Sequence, residues 1–282
     1  MTSIDTDPNH VRRRDWNLMS VPTQYEAYAL RYASIETNKA GKFHDFAIFG
    51  EPDEPVPMDF YFWLIRNGDR VVLVDCGYDA VRTPVRGYLQ DHTPVDLLGR
   101  FGVTPEDVDH VIISHMHFDH IGNVDLFPNA TFYVAREEFD FWTGPFADRI
   151  HLARHAEGAE VQMVVDLHAQ GRVHLVDGQQ EILPGIRATP IRGHTAGSMI
   201  TEVTTSTGTV VVASDAIHLY EELERDRPYW VFTDLEGMYR GFAYLNELAA
   251  DPDVSIVAGH DRQVMTRFKA VDEDCVDLTV RA

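Results

Sequence analysis

Apolar positions along this chain of 282 residues follow two rhythms, and the places where the rhythm changes mark its elements. Residues 25–32 have strand character. Aromatic and β-branched runs at 60–66 and 71–75 flank Asn67-Gly68-Asp69-Arg70, a strong hairpin signal. Further strands are predicted at 111–114, 130–135, 173–176, 186–191, 199–204, 210–213 and 254–258. Helical signals fall between them. Residues 96–101 read as a short helix, and Thr104 caps a helical turn that has Pro105 at its first position. Residues 136–142 open another helix. Over 235–250, Leu235, Met238, Tyr239, Phe242, Leu245 and Leu248 share one helical stripe. Residues 1–20 are polar and predict a loose N-terminal arm. The segment 36–57, with Gly41, Gly50 and several prolines, predicts a long loop. Residues 143–170 show few strand signals and several histidines. Strands in two batches, each followed by helix, predict an α/β (α+β) protein with two sheets and helices outside them. The expected organisation is the arm plus one domain over 21–282.

Composition narrows the setting. Apolar content of 44% and charged content of 24% are ordinary for a globular protein. No apolar run approaches the roughly 18 residues that span a bilayer. The first residues carry three arginines with no apolar segment behind them, so no secretory signal is expected. Cys76 and Cys275 are too few and too far apart for a disulfide framework, and a cytoplasmic location is expected. The net charge of −21, from 45 acids against 24 bases, disfavours nucleic acid and anionic membranes as partners.

The densest chemistry is His115-Met116-His117-Phe118-Asp119-His120, directly after an apolar run. Three imidazoles and a carboxylate within six residues are the ligand set of zinc and similar divalent cations. At a strand end, His115 and His117 would point to one side. Asp119 and His120 would then lie on the following turn and face a second ion. Two ions need more donors than this motif holds. His194, Asp215 and His260 each follow a predicted strand and sit beside glycine or small residues, which places them at one rim of a sheet. Asp75 is expected to orient a ligand histidine, and His218 and Asp261 are candidates for the same task. The remaining histidines read as surface or packing, with His151 and His155 able to line a pocket.

Taken in order, His-x-His-x-Asp-His, Gly193-His194-Thr195-x-Gly197-Ser198, Ser214-Asp215-Ala216 and Gly259-His260 resemble the metallo-β-lactamase superfamily. Val74-Asp75-Cys76-Gly77 resembles its early Asp-Thr-Gly motif. The branch that matches best is the N-acyl-homoserine lactonase-like hydrolases, over roughly residues 25–268. The resemblance implies a four-layer αββα sandwich. It implies one metal held by His115, His117 and His194, a second by Asp119, His120 and His260, and Asp215 bridging them. Two divalent ions, zinc first with iron, manganese or cobalt as alternatives, supply hydroxide from water and polarise a carbonyl. The expected substrate is a small molecule with a lactone or ester carbonyl, an acyl-homoserine lactone or a related aromatic or apolar lactone. Asp119 is expected to accept or relay the proton.

Many lactonases of this family carry a tyrosine three residues after the bridging aspartate. Here that position is His218, with Tyr220 two further on, and either is expected to serve as oxyanion donor. Phe139, Phe141, Trp142 and Phe146, and Tyr220, Tyr229, Trp230 and Phe232, are candidates for pocket or core.

Other ester, thioester, cyclic amide or phosphodiester hydrolysis on the same scaffold is the alternative. A non-catalytic metal-binding module ranks below it. Glyoxalase II-like thioesterases need a helical C-terminal extension for which 22 residues after His260 leave no room. The flavodiiron branch has glutamate at the position of His117. The sequence leaves oligomeric state open, a homodimer among the options.

Overall fold

The computed structural model describes residues 24–68, 70–82 and 90–282. The expected arm at 1–20 and Asp69 of the hairpin turn lie outside the described residues. Along the chain come β1 (Glu26–Ile35), β2 (Met58–Asn67), β3 (Arg70–Val74), α1 (Pro94–Arg100), β4 (His110–Ile112), α2 (Phe118–Ile121), β5 (Thr131–Ala135) and α3 (Arg136–Trp142). Then follow α4 (Ile150–Ala153), α5 (Gly158–Ala169), β6 (Val173–Val176), β7 (Gln180–Leu183), β8 (Ile186–Pro190), β9 (Met199–Thr205) and β10 (Gly208–Ser214). The chain closes with α6 (Tyr220–Arg225), α7 (Leu235–Ala249), β11 (Val254–Ala258), α8 (Val264–Arg267), β12 (Phe268–Ala270) and β13 (Cys275–Arg281).

Two sheets result. One has the order β12-β13-β1-β2-β3-β4-β5-β6 and the other β11-β10-β9-β8-β7. The predicted hairpin is β2 against β3, in register Asn67↔Arg70 to Trp63↔Val74. Period-two alternation explains why β2 is apolar on both faces. Tyr61, Trp63 and Ile65 join the core shared with the second sheet, where Ile186, Ile200 and Val211 meet them. Phe60, Phe62 and Leu64 face the opposite core, with Leu97 and Leu98 of α1 and Val164 and Leu167 of α5. Met238, Phe242 and Leu245, three of the predicted stripe residues of α7, close the second sheet's outer side. This is the expected αββα arrangement.

The picture of two sequential batches needs correcting at the C-terminus. β13 returns to the first sheet and pairs antiparallel with β1, Tyr28 opposite Asp277. The long loop at 36–57 contains two 3-10 turns, Lys39–Gly41 and Phe46–Phe49. Residues 143–170 hold α4 and α5, which periodicity did not reveal. The inward face of α5 is Glu160, Val164 and Leu167, so a buried carboxylate interrupts its stripe. No helix among the described residues is long and apolar enough to cross a membrane.

Candidate metal centre

Five strands deliver chemistry to one edge. Asp75 follows β3, His115 and His117 follow β4, His194 follows β8, Asp215 follows β10 and His260 follows β11. The expected strand-end pleat for His115 and His117 is not what aligns them. β4 stops at Ile112, and His117 is already the N-terminal cap position of α2, the single helical turn that carries Asp119 and His120. Glycine makes two of the approaches feasible. Gly193 has φ +142°, and a Cβ there would lie 2.6 Å from the Met238 nitrogen. A Cβ on Gly259 would lie 2.6 Å from the Ser214 carbonyl oxygen.

The side chains meet in two groups. His115 Nε2 lies 3.0 Å from His117 Nδ1, and His194 Nε2 lies 3.2 Å from the first and 3.0 Å from the second. In the other group Asp119 Oδ1 lies 3.7 Å from His120 Nε2, and Asp119 Oδ2 lies 3.7 Å from His260 Nε2. Asp215 sits between the groups. Its Oδ2 is 3.3 Å from His194 and 3.8 Å from His115, while its Oδ1 is 3.5 Å from His120 and 3.2 Å from His260. All seven residues are at most 9% exposed.

The outer atoms fix the rings. His194 donates Nδ1–H to the Val231 carbonyl at 3.0 Å, and His260 donates Nδ1–H to the Asp59 carbonyl at 2.9 Å. His120 donates Nδ1–H to Asp75 Oδ2 at 2.7 Å. In their neutral forms these three rings therefore turn an Nε2 lone pair inward. Asp75 also accepts from the Ser114 backbone N–H and from the Ser114 hydroxyl, both at 2.7 Å. Ser114 Oγ in turn lies 3.1 Å from His115 Nδ1. Asp75 thus orients rather than joins the centre, as the sequence predicted. Asp261 does something else. It accepts from the Tyr220 and Gln263 backbone N–H groups and anchors the start of α6.

Electrostatics separate the groups. Burial and the neighbouring imidazoles hold His115 and His117 well below the ordinary histidine range. Burial does the same for His194, against the pull of Asp215. Neutral imidazole is the metal-binding form. At His120, burial is outweighed by Asp215, Asp75 and Asp119, which raise it well above that range. Burial would raise Asp215, but His218, His260 and His120 hold it well below the carboxylate range.

The donor set fits a pair of divalent cations. Bonds of about 2.0–2.1 Å at tetrahedral angles separate donor nitrogens by about 3.3 Å, close to the first group's spacing. His120 Nε2 and Asp215 Oδ1 are buried with no hydrogen-bond partner, and they lie 3.5 Å apart at the second group. Two further sets, His115 with His120 and Asp215, and His194 with Asp215 and His218, also lie within coordination reach.

Comparison with known proteins agrees. The profile described as the Metallo-beta-lactamase superfamily matches residues 61–260. The chain belongs to this superfamily. It is 29% identical over 226 residues to the N-acyl homoserine lactonase AiiA of Bacillus thuringiensis subsp. kurstaki, covering 74% of this chain and 84% of that one. It is 27% identical over 236 residues to the N-acyl homoserine lactonase AttM of Agrobacterium fabrum, covering 78% and 86%. Among solved structures, an N-acyl homoserine lactone hydrolase with bound N-hexanoyl-L-homoserine superposes with a TM-score of 0.69 at 20% identity, over 88% of this chain and 98% of that one. AidC, a dizinc quorum-quenching lactonase, gives 0.68 at 19% identity, over 90% and 93%. At those identities the structures show a shared fold.

On this metallo-β-lactamase scaffold a recess opens over the centre in two lobes. The inner lobe is lined by Asp119, Asp215, His218, Tyr229 and His260, among others. The outer, a cavity of ≈ 200 Å³, adds Phe141, Trp142, His151 and Phe232. His117, His155, His194, Trp230 and Val231 line both. His151 and His155 thus do line a pocket. The aromatic candidates divide between pocket and core. Phe139 is core and Phe146 is 59% exposed.

The two candidate donors also separate. His218 Nε2 lies 3.0 Å from Asp215 Oδ2, and its ring stacks on Tyr229 at 3.6 Å between centroids. Tyr220 is a correction. Its hydroxyl donates to the Ile256 carbonyl at 3.2 Å and the Arg267 guanidinium covers its ring, so it faces away from the recess. Helical phase explains this: Tyr220 begins α6 and turns into the core of the second sheet.

Sequence reasoning missed Glu138. This fully buried carboxylate accepts from the Met116 N–H, the Trp142 indole N–H and the Gly197 N–H at 2.7–2.9 Å. It ties the loop of His115 and His117 to the loop of His194. Burial raises its pKa. A glutamate in the first turn of an amphipathic helix carries no signal of that role in sequence.

Proposed function

We propose that this protein is a dinuclear, metal-dependent lactonase. Superfamily membership and lactonase relatives make it an ester-hydrolysing, metal-dependent enzyme. The lactone ring and the paired centre are the finer reading. One observation carries it above all: the two oxygens of Asp215 divide between the two donor groups, an arrangement that suits a bridging carboxylate. His115, His117 and His194 would hold one divalent ion, and Asp119, His120 and His260 the other, zinc being the favoured ion for imidazole and carboxylate.

Two such ions supply a water of near-neutral pKa and a Lewis acid for the carbonyl. The chain's own residues do the rest. Asp75, Ser114 and the Val231 and Asp59 carbonyls hold the imidazoles in one tautomer. Asp119 takes the proton of the attacking water on a carboxylate oxygen and returns it to the leaving ring oxygen. His218 holds Asp215 in place from Nε2. Trp142, Tyr229 and Trp230 give the recess apolar walls for the substrate's acyl part.

The test is metal analysis of zinc-loaded protein combined with a panel of acyl-homoserine lactones, thioesters and phosphodiesters. Two ions per chain with preferential lactone turnover is expected. Thioesterase activity alone would remove the lactonase reading, and bound metal with no hydrolysis would favour a binding module.

A further inference from the structure

Only three lysines occur in the chain, at 39, 42 and 269. Lys39 pairs with Glu54 and Glu221, and Lys269 is exposed on β12. Lys42 differs. It is half-buried, lines the inner lobe beside Asp119 and Tyr229, and has its ammonium 5.9 Å from the Tyr229 ring centroid. It forms no ion pair among the described residues. The backbone around it is fixed. Lys42 N–H donates to the Lys39 carbonyl at 3.0 Å, the Trp230 N–H donates to the Lys42 carbonyl at 2.9 Å, and Phe43 pairs with Tyr229 as an isolated bridge. A lysine free to reach solvent extends its ammonium there. This one is held at the mouth of the candidate centre.

The surrounding charge sharpens the point. Among the described residues, Asp119 and Asp215 are the only acidic side chains that line either lobe. Lys42, Arg154, His151 and His155 line the same walls. The two carboxylates carry two negative charges, and two divalent cations would carry four positive ones. Burial already disfavours the ammonium of Lys42, opposed by the charge of Asp119 and by the face of the Tyr229 ring. A half-buried cation beside two more needs a counter-charge that the described protein does not supply.

We propose that Lys42 is a specificity-determining residue that pairs with an anionic oxygen group, a carboxylate or its equivalent, carried by the substrate away from the scissile carbonyl. This rests on the hydrolase reading for where that carbonyl lies. The preferred substrate is then an acidic lactone or ester, with one end at the metal centre and the other on the ammonium.

Calorimetric binding to zinc-loaded protein separates this from catalysis. The probes are linear dicarboxylates from succinate to pimelate, each compared with its own monoamide. At the best-fitting length the diacid should bind at least tenfold more tightly than the monoamide. That gap should vanish in Lys42→Met and in Lys42→Gln and persist in Lys42→Arg, with zinc content and melting temperature unchanged. In turnover, a γ-lactone with a carboxylate tail should show a tenfold lower KM than its amide-tailed twin at equal kcat, again only when residue 42 is cationic. Turnover of a neutral lactone by the unsubstituted protein reports on the lactonase reading alone. A gap under twofold at every length, a gap that survives Lys42→Met, or no measurable diacid binding would each overturn the proposal.

Discussion

In the His115–His117–His194 group every donor is an imidazole nitrogen, and burial keeps those rings neutral. The Asp119–His120–His260 group contains a carboxylate, and its His120 is pulled the other way by Asp215, Asp75 and Asp119. The supports cut across this division. His194 and His260 lean on backbone carbonyls, which only accept, so their tautomers are fixed by the fold. His120 leans on a buried carboxylate, Asp75, which fixes the tautomer and adds charge. One edge of one sandwich thus presents two donor sets of unlike charge, coupled through Asp215.

Perturbations should expose that coupling. Asp215→Ala removes the shared donor and should cost roughly 10³-fold or more in kcat/KM, several kcal/mol of transition-state stabilisation, with loss of bound metal. Steady-state kinetics beside metal analysis checks this. Single-group changes come next. His194→Ala should lower metal content towards one ion per chain while the Asp119 group retains its ion, and His260→Ala should do the reverse. X-ray absorption on the two variants would show a higher imidazole share around the metal left in His260→Ala. Equal spectra would break the distinction between the groups.

Smaller effects should be equally selective. Asp75→Ala should weaken metal affinity by about 10–100-fold, as loss of an orienting partner does. Chelator competition should show the loss mainly at the group of His120. Ser114→Ala removes the hydroxyl that contacts both His115 and Asp75, and should cost about 0.5–1.5 kcal/mol of metal binding. Competition titrations would show whether it falls on both groups, as a shared hydroxyl predicts.

The same contrast explains what the sequence could reveal. His115 to His120 is readable alone because four donors in six residues have little explanation in packing. His194, Asp215 and His260 are single residues at the ends of separate strands. They become readable through motif order and flanking glycines, such as Gly193 and Gly259, that backbone crowding requires. Strands with near-continuous apolar runs, β2 and β3 above all, were predicted within a few residues because both faces are buried. β7 escaped because it is a half-exposed edge strand, whereas β13, in which Val276, Leu278 and Val280 alternate with Asp277, Thr279 and Arg281, carried a period-two signal that could have found it. Tyr220 was misplaced because spacing from Asp215 says nothing about helical phase. Glu138 was missed because the Met116 and Gly197 backbone N–H groups it accepts from are brought to it only by folding. Lys42 was passed over because a lysine in a loop reads as solvated until the loop is seen pinned to Trp230.

The most direct test is anomalous diffraction from crystals of the zinc-loaded protein. Two peaks are predicted, one among His115, His117 and His194 and one among Asp119, His120 and His260, with Asp215 between them. A single peak held by His194, Asp215 and His218, or no peak at this edge of the sandwich, would contradict the account.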